Sequence, residues 1–174
     1  MAETTKESKK KFSKGIITVQ ANDFIQKASY RNFDTVDIKI FKTILGKINH
    51  NDTLFKDFYT IDYDDLDEVN IDKKNRFAIV TKSLKKLAAY YVQLEQGANT
   101  IEVGLIQNKF KYERNSSKIV VSVHEDLKPF LLDLSVKYTK YAIANLAELK
   151  NVYSIKLFEL LKSFQSLGYY ETTI

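Results

Sequence analysis

Cysteine is absent from the 174 residues, and with it go disulfides, thiolate nucleophiles and every Cys-ligated metal site. Glycine is scarce. The five glycines stand at 15, 46, 97, 104 and 168, spacings that build neither a phosphate-cradling glycine-rich loop nor a dinucleotide fingerprint. The two histidines, His50 and His124, have no neighbouring His or Glu at metal-ligand spacing and read as structural or exposed. No run approaches the roughly 18 apolar residues that span a bilayer, and the polar segment Met1 to Lys14 has no apolar signal-peptide core behind it. These absences predict a cytoplasmic, non-enzymatic protein with no metal, no cofactor and no membrane partner.

What the chain does have is a hydrophobic content of 44%, enough for one well-packed core, and a net charge of +5 that is unevenly placed. Residues 1–14 carry five lysines against Glu3 and Glu7, a net of +3, and with Gly15 read as a disordered basic arm. Residues 52–68 set Lys56 against seven acids, a net of −6. Residues 69–90 reverse the sign: Lys73, Lys74, Arg76, Lys82, Lys85 and Lys86 stand against Asp72 alone, a net of +5. Adjacent blocks of opposite sign predict elements facing different environments. The acids Asp62, Asp64, Asp65, Asp67 and Glu68 do not make a calcium loop, because Asp67 takes the place of the required glycine and Lys73 that of the bidentate Glu. They read as an acid-enriched helix start.

Apolar spacing predicts the order of elements. A short helix carries Phe24, Ile25 and Ala28. A clearer one follows Asp34 as N-cap and repeats Ile38, Phe41, Leu45 and Ile48. Phe55 to Asp62 alternates as a strand, Tyr63 to Val69 is a brief acidic helix, and Asn70 to Asp72 turns into a helix over Lys74 to Ala89 with Phe77, Val80 or Thr81, Leu84, Leu87 and Ala88 inward. Tyr90 to Leu94 and Ile101 to Leu105 form a hairpin across Gln96 to Asn99. A parity change near Gln107-Asn108 requires a bulge or turn before Lys109 to Arg114, which pairs with Lys118 to His124. Pro129 starts a short helix, a weaker helix covers Lys140 to Glu148, and a last helix begins at Asn151, stacks Tyr153, Leu157, Leu160, Leu161 and Phe164, and ends at Gly168.

Short helix, turn, basic helix, hairpin is the order of a winged helix-turn-helix, whose second helix enters the DNA major groove. The fold class expected is therefore α+β, with about five helices and a small antiparallel sheet. Lys74, Arg76, Lys82, Lys85 and Lys86 are placed to neutralise phosphates, Asn75, Arg76, Thr81 and Ser83 are of the types that read base edges, and Lys73 joins the DNA-binding set. Lys109, Lys111, Arg114 and Lys118 add a wing contact. Two functions fit this pattern: a stand-alone transcriptional repressor, and an interaction module that binds no DNA.

The run Lys137-Tyr138-Thr139-Lys140-Tyr141-Ala142, with Leu149-Lys150-Asn151-Val152-Tyr153-Ser154-Ile155-Lys156-Leu157-Phe158-Glu159-Leu160-Leu161-Lys162, resembles the signature of plasmid replication initiator (Rep) proteins of iteron-carrying theta plasmids. Tyr59-Thr60-Ile61 with Asp65-Leu66, Ser83-Leu84-Lys85-Lys86-Leu87 and the hairpin around Tyr112 to Val123 extend the likeness over nearly all of the chain after Ile17. The resemblance implies an N-terminal winged-helix domain, here 16–168, with 169–174 entering a second winged-helix domain that the chain lacks. It further implies double-stranded origin DNA, a homodimer and host replication proteins as partners, and a role in initiation at an iteron origin and in copy-number control. Family dimers join their sheets, which implicates Ile101, Val103, Leu105, Ile119, Val121 and Val123.

Overall fold

The computed structural model describes residues 15–112 and 115–168. The elements run β1 (Ile17–Ala21), α1 (Asn22–Lys27), β2 (Ala28–Ser29), α2 (Thr35–Leu45), β3 (Tyr59–Asp62), α3 (Arg76–Ala89), β4 (Tyr91–Gln96), β5 (Asn99–Gly104), β6 (Ile106–Tyr112), β7 (Lys118–Val123), α4 (Lys128–Leu131), β8 (Tyr138–Ala142) and α5 (Val152–Ser163). The expected arm over residues 1–14, the expected second-domain entry at 169–174, and Arg114 lie outside the described residues.

Helix α2 is the spine. Asp34 caps it in a reciprocal box with Asp37, which satisfies two otherwise free N–H groups. Ile38, Ile40, Phe41, Ile44 and Leu45 are all buried, a wider apolar belt than one stripe, because α3, α5, β1 and β3 pack around the helix. Even Lys39, Lys42 and Thr43 are enclosed.

Three small antiparallel sheets surround this helix where the sequence suggested one. Their strand orders are β1-β8, β2-β4-β5 and β3-β7-β6. Gly97, at φ +61°, opens the two-residue turn between β4 and β5, a conformation that glycine adopts without steric cost. The bulge expected near Gln107 is present as a register shift between Ile106 and Phe110.

The strand expected from Phe55 begins only at Tyr59, and two further expectations fail. Residues 140–148 are not a helix: β8 pairs with β1 from Ile17↔Ala142 to Ala21↔Tyr138, followed by a 3-10 turn over Ile143–Leu146. A partner more than 100 residues away overrides local helical preference. In α5 the buried positions are Ile155, Glu159 and Ser163, whereas Tyr153, Leu157 and Leu161 are exposed. The apolar stripe faces outward because Glu159 is drawn inward by Lys42.

Candidate nucleic-acid interface

Helix α3 starts two residues later than its spacing suggests. The Asp72 carboxylate accepts the Lys74 N–H at 2.9 Å, an Asx turn that competes with helix, and Asn75 sits in the left-handed region at φ +60°. Lys73, Lys74 and Asn75 are thus exposed residues of the turn. Lys73 is engaged by Asp67 at 3.1 Å.

Arg76, expected at a base edge, is a structural residue. Its guanidinium donates to the carbonyls of Tyr63, Ile71 and Asp72 and to the Asp67 carboxylate, and it is buried. It ties the acidic 3-10 turn, Tyr63–Asp67, to the helix that follows. Partial desolvation raises the Asp67 carboxyl, but hydrogen bonds from Arg76 and Lys73 outweigh it and hold Asp67 below the usual carboxylate range. Three of the remaining acids are also spent internally, while Asp64 is exposed. Asp62 and Asp65 form a capping box, Asp65 pairs with Lys47 at 2.7 Å, and Glu68 accepts the Ile16 N–H.

Ser83 and Lys86 are likewise engaged within the chain. The Ser83 hydroxyl donates to Asp37 Oδ1 at 2.5 Å inside the core, and Lys86 bridges Asp37 at 2.8 Å and Asp34 at 2.9 Å. Desolvation lowers the Lys86 ammonium, yet hydrogen bonds from it to the two carboxylates raise it overall, so its charge is balanced within the chain. Asp37 therefore joins α2 to α3 through Ser83 and Lys86 while also capping α2.

What remains on the outer face of α3 is Ala78, Lys82, Lys85 and Ala89, all exposed and one above another at helical spacing. Among the described residues neither Lys82 nor Lys85 is in an ion pair. The β6 strand packs against α3, and Phe77 meets Tyr112 edge to face at 5.2 Å. From β6, Lys109 and Lys111 point to one side, their ammoniums 5.1 and 5.6 Å from the Phe58 ring, and Lys118 is exposed at the start of β7. The β4–β5 hairpin directly after α3 has no Lys or Arg and carries Glu95 and Glu102. The basic strands are the later ones.

The residues implicated in sheet joining divide sharply. Val103, Leu105, Ile119, Val121 and Val123 are core side chains with no surface left for a partner, and Ile101 is half-buried. β7 is paired on both sides. β5 pairs only with β4 among the described residues, so only its backbone edge stands open.

A 3-10 turn and a basic helix followed by a two-stranded hairpin, packed on a central helix with small antiparallel sheets, define an α+β winged-helix domain. The chain belongs to the initiator replication protein family: the family's first winged-helix model, described as "Initiator Replication protein, WH1", matches residues 17–162. Among solved structures the chain is similar to the Pi initiator protein in complex with iteron DNA, with a TM-score of 0.69 and 14% identity, over 87% of this chain and 65% of that one. At that identity the likeness is one of fold, and the chain spans under two thirds of that protein's length. The WH1 domain of MSBI1.176, a replication protein isolated from a multiple sclerosis patient, aligns over 66% of this chain and 82% of its own at 14% identity with a TM-score of 0.36, too low to carry an argument. No curated protein matches the sequence.

Proposed function

We propose that this domain holds duplex DNA by its phosphates at a replication origin, through Lys82 and Lys85 on α3 supported by Lys74, Lys109, Lys111 and Lys118. The observation that carries the reading is the unpaired lysine pair on the outer face of α3: the other basic side chains of that helix, Arg76 and Lys86, are consumed by internal contacts, and these two are not. Family membership favours an initiator over a stand-alone repressor, and the similarity to a structure solved with iteron DNA suggests repeats of that kind as the target. With Arg76 and Ser83 removed from the base-reading set, Thr81 and Asn75 are the remaining polar side chains, too few for a sequence-reading surface. Phosphate contact is the role that the α3 face supports.

Copies of the chain associate, on this reading, through the open backbone edge of β5, and host replication proteins bind the assembled initiator. The experiment for the DNA contact is a salt titration with duplex DNA. Lys82→Glu with Lys85→Glu should lower affinity at least tenfold and flatten the salt slope by about two, with an unchanged unfolding midpoint. Unaltered affinity and slope would remove α3 from the interface.

A further inference from the structure

A second basic site lies away from α3. The end of α5, the start of β8 and the first residue of α1 enclose a cleft of about 620 Å³ to which Lys137, Lys140, Lys162, Asn22, Gln165 and Ser166 contribute. No residue of α3 or β6 lines it, and none of its lining residues carries a carboxylate. The nearest acid along the chain, Asp23, is paired with Lys27 at 3.5 Å. None of the three lysines is in an ion pair among the described residues.

The two amides are oriented as donors. The Thr139 hydroxyl, itself buried, donates to Asn22 Oδ1 at 2.6 Å, and Lys162 donates to Gln165 Oε1 at 3.3 Å. With both carbonyl oxygens occupied, each side chain has its NH₂ group left to offer. Two amide NH₂ groups and three ammoniums thus share one cleft with no carboxylate among its lining residues. A carboxylate ligand, with two oxygens, would satisfy only part of that set, whereas a phosphate presents three or more. The volume exceeds what a bare phosphate fills and leaves room for an attached organic body.

We infer that this cleft binds the phosphate of a phosphate ester, either a free nucleotide or the backbone of nucleic acid. The site is independent of the DNA contact assigned to α3. Isotope-labelled 174-residue chain, titrated with a nucleoside triphosphate and separately with a short duplex, each against sodium chloride at matched ionic strength, tests it by amide chemical shifts. Saturable shifts at Thr139, Lys140 and Gln165 are expected with at least one ligand and not with chloride. Response to the nucleotide alone identifies a small phosphate ester as the occupant, and response to the duplex alone identifies the backbone. Lys140→Glu with Lys162→Glu should weaken that binding at least tenfold at an unchanged unfolding midpoint, while Lys82→Glu with Lys85→Glu leaves it intact. No saturable shift at these amides with either ligand, or full binding by the Lys140/Lys162 variant, overturns the inference.

Discussion

Lys42 Nζ lies 2.7 Å from Glu159 Oε1 with both side chains fully buried, so the central helix and the last helix are joined by an ion pair sealed from water. Tyr141 donates to the same carboxylate oxygen at 2.6 Å, Gln20 donates to it at 3.3 Å, and Lys42 also donates to Gln20 Oε1 at 2.6 Å. Around this cluster Phe24, Tyr30 and Phe41 place their rings 5.2–5.7 Å from the ammonium. Burial pushes the Lys42 ammonium down against the pull of Glu159. Glu159 Oε2 is the one buried side-chain oxygen or nitrogen without a hydrogen-bond partner among the described residues.

Removing one partner leaves the other charge uncompensated, which costs about 3–5 kcal/mol. Lys42→Met and Glu159→Leu should each lower urea-unfolding stability by that amount, and the double variant should recover most of the loss. Additive losses would show that the two residues act separately.

Lys156, half-buried on α5 with its ammonium donating to the Ile25 carbonyl, is pushed down to about 8 by desolvation. From pH about 8 to 10 the unfolded chain holds this proton and the folded chain does not, so stability rises with pH. Above about 10 the trend reverses, because burial and the nearby Glu159 carboxylate raise Tyr30 and Tyr141 well above ordinary phenols in the folded state alone. Lys156→Met should flatten the rise between pH 8 and 10 in denaturant titrations; an unchanged slope would assign it to Lys42 or Lys39, both also lowered by burial.

Arg76 and Lys82 should separate stability from binding. Arg76→Ala strips three carbonyls and Asp67 of their donor and is expected to cost about 3 kcal/mol. Lys82→Ala should cost under about 0.5 kcal/mol and weaken DNA binding. Circular-dichroism melts beside affinity at one salt concentration give both numbers, and a neutral Arg76→Ala would return that side chain to the interface.

The open edge of β5 gives a test of self-association. In the two-residue hairpin the Gln96↔Asn99 pair is hydrogen-bonded, so alternation along the register turns the Thr100 and Glu102 N–H groups outward. Gly104 agrees with this phase, since its N–H leaves the ladder for Asp126 Oδ2 at 3.1 Å. Glu102→Pro removes an outward N–H without breaking the hairpin. It should convert a dimer at micromolar concentration into a monomer by sedimentation; a persistent dimer would place the contact elsewhere.

Element types close to the chain's own local rules were legible. Asp34, Asn151 and Pro129 marked helix starts, and the parity change near Gln107 marked a bulge. The candidate site was legible only as a charge block. Lys82 and Lys85 are in it together with Arg76, Ser83 and Lys86, and nothing in their spacing separates the first pair from the other three. The cleft at the end of α5 had no sequence signal at all, because Asn22 and Gln165 are 143 positions apart.

The sequence alone, through composition and periodicity, determined an α+β chain with a basic helix between an acidic turn and a hairpin, since hydrophobic period and capping act over a few residues. Tertiary structure alone decided which charges are free. Asp37 and Glu159 each select a cation from elsewhere in the chain, because a carboxylate withdrawn from water must find a positive partner, and the exposed Asp67 takes Arg76 and Lys73. That selection left Lys82 and Lys85 facing solvent and turned the apolar side of α5 outward, and long-range pairing with β1 made a strand of Tyr138–Ala142.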